Sequence, residues 1–275
     1  MDCIDCKATR YQVEDGIAII ALNRPHRMNA WTGRMHTEYL HHLCEADEDS
    51  SVRAIVVTGA GRAFCAGGDA AALQGHAERG GYDAGTGDGL RTPRHQADAR
   101  FSEGFACHWN LTKPVIAAIN GAAAGIGLAL ACYADLRFAA AGAKLTTAHG
   151  KLNLPAEFGL SWLLPRMIGT TRAMELLLSS RIVLAEEACS MGLVNRVFPT
   201  ETLMQETLDY ARGLVRDVSP NSLRQTRWQV YKDLHRDIAG ANEDAETLLR
   251  AMMTEANFAE GVRAFVEKRA PNFGR

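Results

Sequence analysis

The chain has 275 residues, 47% of them hydrophobic and 23% charged, which is ordinary globular usage and excludes a chain disordered throughout. Against a typical domain of roughly 150 residues, this length allows one large domain or two small ones, with a sizeable core. Thirty basic against thirty-two acidic residues leave a formal charge of −2, so no net basic field exists to hold nucleic acid or an anionic membrane surface.

In chain order, residues 16–22 (GIAIIAL) read as a strand, followed by the turn-like Asn23-Arg24-Pro25. Residues 31–45 are helical in period, with Met35, Tyr39, Leu40 and Leu43 at three- and four-residue steps. Residues 54–58 (AIVVT) form a second strand, stopped by Gly59-Ala60-Gly61, and 115–119 (VIAAI) a third; 135–139 make a fourth. Strands separated by helices favour an α/β arrangement with both sheet faces covered. Between the second and third strands, residues 75–89 hold six glycines in fifteen positions without an apolar period. That insertion reads either as a surface loop or as a mobile wall over a cleft. Residues 172–178, 185–191, 202–215, 221–238 and 245–268 fit amphipathic helices, and only 194–198 looks extended. No internal repeat is visible. Residues 1–200 are expected to form the α/β core and 201–275 a helical region that packs on the core or on another subunit.

Seven cysteines, an odd number scattered from Cys3 to Cys189, do not form a disulfide framework. Cys3 and Cys6 spell C-x-x-C but precede any element that could position a redox pair. The first thirty residues lack a basic leader followed by an apolar run. Residues 114–134 carry no charge, yet Asn120, Gly121, Gly125 and Gly127 break them into strand, turn and helix rather than a span. The expectation is a soluble, cytoplasmic protein.

Several familiar motifs are missing. Gly59-x-Gly61 lacks the third glycine of a dinucleotide fingerprint, and no phosphate loop, zinc-protease helix or nucleophile elbow occurs. His36, His41 and His42 share one helix without an i, i+4 pair, so no metal site is expected. Two glycine-containing segments each follow a strand: AFCAGGD (63–69) and NGAAAGIG (120–127). Glycines there let the main chain approach a ligand, and a helix starting near Gly127 aims unpaired N–H groups and positive dipole at it. Two converging N–H donors could stabilise an enolate oxygen. The bland alternative is tight packing of helix on sheet.

These two segments, with Asn23-Arg24-Pro25 upstream and KLTTAHGKLNLPAEFGLSWLLPRMIG, AEEACSMGLVNRVFP and FAEGVRAFVEKRAPNF downstream, resemble the enoyl-CoA hydratase/isomerase (crotonase) superfamily. The likeness runs from about Val13 to Phe273, with its motifs in the family's order. It implies an α/β fold, a crotonase-like spiral of ββα units with a helical C-terminal trimerisation region. It implies acyl-CoA thioester substrates, a homotrimer or hexamer, and no cofactor beyond the coenzyme A of the substrate. The family's two backbone oxyanion donors fall on Gly68 and Ile126, where many relatives have glycine in place of Ile126. A backbone donor tolerates that exchange if the residue keeps negative φ. Arg24, His26, Arg27 and Met28 would line the coenzyme A nucleotide; Ala66, Gly67, Asp69 and Gly125 flank the donors. Asp69 is expected to bond local amides. Phe265 and Lys268, from a neighbouring subunit, would meet the adenine and phosphate end, or Lys268 is simply a solvated charge.

The departure from the family matters more. Typical hydratases hold a water between two glutamates acting as general acid and base. The matching positions are Ala129 and His149, so that chemistry is not expected to carry over unchanged. Certain isomerases of the superfamily have a carboxylate at the position matching Glu157, and some of its C–C hydrolases use histidine in this region. The expectation is therefore proton transfer by His149 with Glu157 orienting it. The bland readings are a polar wall for His149 and an ion pair with Arg166 or Lys151 for Glu157. Three functions stay open: a hydratase/isomerase-type enzyme, a C–C or thioester hydrolase using His149, and a non-catalytic acyl-CoA-binding protein.

Overall fold

A computed structural model describes residues 5–80 and 97–273. The apolar runs form strands because both their faces are covered. β1 (Thr9–Glu14) pairs antiparallel with β2 (Ile17–Leu22), whose IAIIAL is almost wholly buried. After α1 (Gly33–Glu48) come β3 (Ala54–Gly59), β4 (Ala63–Cys65) and α2 (Ala70–Arg79). β5 (Val115–Ile119), β6 (Ala122–Ala124) and α3 (Ile126–Cys132) follow, then β7 (Leu136–Ala140) and β8 (Lys144–Thr146). Beyond them lie α4 (Leu160–Ile168), α5 (Thr170–Ser179), β9 (Val183–Leu184), α6 (Ala185–Ser190) and β10 (Arg196–Phe198). Four helices end the chain: α7 (Leu203–Asp217), α8 (Pro220–Asp233), α9 (Ile238–Met252) and α10 (Ala256–Glu267).

The strands divide between two sheets, ordered β1-β2-β3-β5-β7-β10 and β4-β6-β8-β9. Apart from the antiparallel β1/β2 and β8/β9 pairs, all neighbours are parallel. Each of the pairs β3/β4, β5/β6 and β7/β8 gives its first strand to the larger sheet and its second to the smaller. This is the repeated ββα step. Asn120 locks two successive corners together: its carbonyl oxygen accepts the Gly59 N–H at 3.1 Å while its amide donates to the Gly61 carbonyl at 2.8 Å.

The sheet core continues past residue 200, because α7 buries Leu203, Thr207, Leu208 and Ala211 against β3, β5 and β7. The next helix is tied down by charge. The Arg227 guanidinium donates to Asp135 Oδ2 at 2.8 Å and to the Leu111 and His108 carbonyls, while the Tyr231 hydroxyl donates to Asp135 Oδ1 at 2.7 Å.

Several boundaries differ from the sequence reading. No strand was expected at β1. Helix α1 begins at Gly33 rather than residue 31 because Trp31 is extended and bridges to Gly68. The helix expected over 221–238 stops at Asp233, and Asp237 caps α9 by accepting the Gly240 N–H at 2.8 Å. The span expected as one helix over 245–268 is broken at 253–255. Of the glycine-rich insertion, residues 75–79 are helical and Gly80 closes α2 at φ 66°; residues 81–89 lie outside the described residues, as does Cys3. Among the described residues no disulfide forms, and no helix is long and apolar enough to cross a membrane.

Candidate active site

The turn after β2 is built around Asn29, which is fully buried and, like Met28, left-handed. Its side-chain oxygen accepts the Arg24 N–H at 2.8 Å, and its amide donates to the Ala60 and Ala63 carbonyls at 2.9 and 2.7 Å. That turns Pro25–Arg27 into a single 3-10 turn with His26 and Arg27 exposed. The Arg24 guanidinium folds back to the Ala30 carbonyl at 2.6 Å and to Asp69 Oδ2 at 2.9 Å. The Ala66 N–H donates to the Met28 carbonyl, the Trp31 N–H to the Gly67 carbonyl, and the Asp69 N–H to the Trp31 carbonyl. The structure thus gathers Arg24, Met28, Ala66, Gly67, Gly68 and Asp69. Asp69 also caps α2 through the Ala71 N–H at 3.0 Å. Burial pulls its carboxyl upward, but the Arg24 guanidinium and the Ala71 and Ala72 amides outweigh this and hold it below the ordinary range. These are the bonds to local amides that its sequence suggests.

The second segment leaves β6 through Gly125, whose φ of 51° and ψ of −118° suit glycine and whose N–H donates to the Thr146 carbonyl at 3.0 Å. Ile126 then opens α3 in helical conformation with negative φ. A Cβ on Gly127 would lie 2.2 Å from the Cys65 carbonyl oxygen, so α3 meets β4 with no room for a side chain. Gly67 lies beside the β6 end less tightly, a Cβ there standing in ordinary contact 3.5 Å from the Ala124 oxygen. Among the described residues, the Gly68 and Ile126 N–H groups donate to no protein acceptor. Both lie just beyond the ends of two adjoining strands of the smaller sheet, β4 and β6.

His149 opens the 3-10 turn His149–Leu152, just after left-handed Ala148. It is only 6% exposed, and its Nδ1 is buried without a hydrogen-bond partner. Glu157 is half-buried and precedes two left-handed residues, Phe158 and Gly159. Burial pushes its carboxyl upward, and the nearby His149 partly opposes this. No hydrogen bond or ion pair within 4.0 Å joins the two side chains, so the orienting contact expected from sequence does not form. The 3-10 turn ending at left-handed Asn153 lies between them in the chain. Nor does Glu157 pair with Arg166 or Lys151; the Arg166 guanidinium instead lies 4.0 Å over the Trp162 ring. Ala129 is 0% exposed on the core side of α3, so no polar group faces His149 from that position.

Phe265 is 85% exposed at the end of α10, and Lys268 closes that helix in left-handed conformation. No hydrogen bond or ion pair ties either to the residues above. A cavity of about 250 Å³ lies elsewhere, lined by Arg53, Lys113, Asn221 and Arg224 among others. Lys113 Nζ donates to the Ala46 carbonyl at the end of α1, Arg53 to the Val215 carbonyl of α7, and Arg224 Nη2 to Asn221 Oδ1, while Arg224 Nε is buried without a partner among the described residues. Among the described residues no group of three metal-ligating side chains is close enough to hold an ion. Sequence reasoning missed Asn29 as the anchor of the turn. The signal available was its place five residues after Arg24, inside the same turn motif.

Residues 12–275 match the family model described as Enoyl-CoA hydratase/isomerase. The chain is 34% identical over 271 residues to the 1,2-epoxyphenylacetyl-CoA isomerase of Escherichia coli K12, covering 95% of this chain and 96% of that one. It is 37% identical over 264 residues to a protein of Mycobacterium tuberculosis named as a probable enoyl-CoA hydratase, covering 94% and 89%. The solved structure of an enoyl-CoA hydratase/isomerase from Mycobacterium paratuberculosis superposes with a TM-score of 0.84 at 30% identity, covering 98% of both chains.

Proposed function

The chain belongs to the enoyl-CoA hydratase/isomerase family, and on that premise we propose that it moves a proton on an acyl-CoA thioester, holding the enolate oxygen on the Gly68 and Ile126 N–H groups and carrying the proton on Glu157. In a 3-enoyl thioester the carboxylate takes the proton from C2. The electron pair is delocalised onto the thioester oxygen, where two preorganised donors in a water-poor site stabilise it. The same carboxyl returns the proton to C4, giving the 2-enoyl thioester with no other reactant. Adding water would need two acid/base groups around that water, and the buried Ala129 supplies neither a proton nor a hydrogen bond. The observation that carries this reading is the place of Glu157: a half-buried carboxyl in the turn before α4, hydrogen-bonded or ion-paired to no described residue, whose pKa burial moves upward.

Arg24 to Met28 line the coenzyme A, with His26 and Arg27 at the mouth; Phe265 and Lys268 reach a neighbouring copy's ligand. A second reading, a C–C or thioester hydrolase with His149 as base, has one observation in its favour: the orphaned buried Nδ1, which a polar substrate group or water would satisfy. Turnover of trans-3-hexenoyl-CoA, crotonyl-CoA and a β-diketone thioester separates the two. Isomerisation should dominate, and Glu157→Gln should lower its kcat by roughly 10²–10⁴-fold, with His149→Ala costing less. Cleavage of the β-diketone that disappears only in His149→Ala would give the site to the hydrolase.

A further inference from the structure

We infer that Tyr133 is a positioning residue for Glu157, fixing its carboxyl against the helix that carries Ile126 through a hydrogen bond to the neighbouring Phe158 carbonyl. This rests on the reading above that Glu157 carries the proton. Tyr133 closes α3, the helix that Ile126 opens. Its hydroxyl donates to the Phe158 carbonyl at 2.9 Å. The Glu157 carbonyl, one residue earlier, accepts the Leu160 N–H at 3.0 Å. The two carbonyls that follow the Glu157 side chain in the chain, its own and that of Phe158, are therefore both held, one by α4 and one by Tyr133. The segment needs holding, because Phe158 is left-handed at φ 52°, a conformation a non-glycine residue keeps only when its surroundings impose it. The fit is close: a Cβ on Gly159 would lie 2.8 Å from the Tyr133 hydroxyl oxygen.

A second line of contact reaches the same place from the other donor. Trp31 brackets Gly68 by bonding its two neighbours. The Phe105 ring packs edge-on against Trp31 with centroids 5.4 Å apart, and the Phe158 ring stands 5.8 Å from Phe105. Tyr133 lies beside Phe105 and Trp109 in this cluster. Burial pushes its phenol up to about 12, so it stays a donor throughout the working range. A buried phenol that merely satisfies itself would give the same bond. What differs is the consequence of removing it.

Tyr133→Phe keeps the ring and deletes the bond. The isomerisation of trans-3-hexenoyl-CoA should lose roughly 10–100-fold in kcat, as small misplacements of a reacting group do, with KM changed less than about twofold. The acid limb of its kcat profile should move to lower pH, because a released carboxyl is better hydrated. In the Glu157→Gln background the same substitution should cost nothing further. Tyr133→Met, which also deletes the hydroxyl while keeping apolar bulk, should reproduce the signature and serves if Tyr133→Phe does not fold. Unchanged kcat and pH profile in Tyr133→Phe, with Glu157→Gln inactive, would overturn the inference while leaving the Glu157 reading intact. Full activity of Glu157→Gln would overturn both.

Discussion

At the scale of residues, the account turns on two side chains that sequence placed together and the structure holds apart. The family resemblance suggested His149 and Glu157, eight positions apart, as an orienting pair. What a resemblance in sequence could not reveal is the local backbone, with left-handed residues at Ala148, Asn153 and Phe158. Glu157 acts as the base in its ionised form, and burial raises its pKa. The kcat/KM profile, which reports the free enzyme, should therefore rise with pH through a value above the ordinary 4.5. His149 opposes that elevation. In His149→Ala the rise should move to still higher pH; a shift to lower pH would show that His149 does not act on Glu157 in this way. Ile126 shows what was legible from sequence. A backbone donor needs only helical φ, and Ile126 has it.

At the scale of elements, the buried strands were readable because each is a short apolar run stopped by glycine or asparagine. The strands of the smaller sheet were not, since two or three residues such as 63–65 or 144–146 carry no period. The ββα repeat was legible only through the family resemblance, because it repeats corners rather than residues, as Asn120 does in bridging two of them. Gly127 is the point where α3 meets β4. Gly127→Ala should cost roughly 1–3 kcal/mol or more in urea unfolding, the range for overpacking a tight core; a neutral result would mean α3 can slide away from Cys65. The tether of α8 is a mostly buried ion pair. Arg227→Met would leave the Asp135 carboxylate without its cation, with only the Val115 N–H and the Tyr231 hydroxyl still donating to it, and should cost roughly 3–5 kcal/mol. A loss under about 1 kcal/mol would show that α8 is held by packing alone.

At the scale of the whole molecule, stability and assembly each make a claim. His108 is fully enclosed, its Nε2 2.7 Å from the Tyr39 hydroxyl. Burial pushes its imidazole from 6.5 down to about 4, against the pull of the Tyr133 backbone. Its contribution is complete above pH 6.5 and is lost as pH falls towards about 4, because only the unfolded chain takes up the proton across that window. The loss amounts to on the order of 3 kcal/mol, and His108→Gln should flatten the urea-stability curve there; an unchanged curve would place the acid sensitivity elsewhere. The last helices leave Ile238, Phe265 and Val266 more than two-thirds exposed, which fits the proposed trimer or hexamer. Light scattering should give three or six times 29.9 kDa, and a monomer at micromolar concentration would contradict it. The central claim is that this molecule makes thioester enolates with Glu157 as its base, and the most direct measurement of it is exchange of the C2 hydrogens of butyryl-CoA in D₂O, followed by proton NMR. The account predicts exchange catalysed by the wild type and lost in Glu157→Gln while butyryl-CoA still binds; binding without exchange in the wild type, or undiminished exchange in Glu157→Gln, would contradict it.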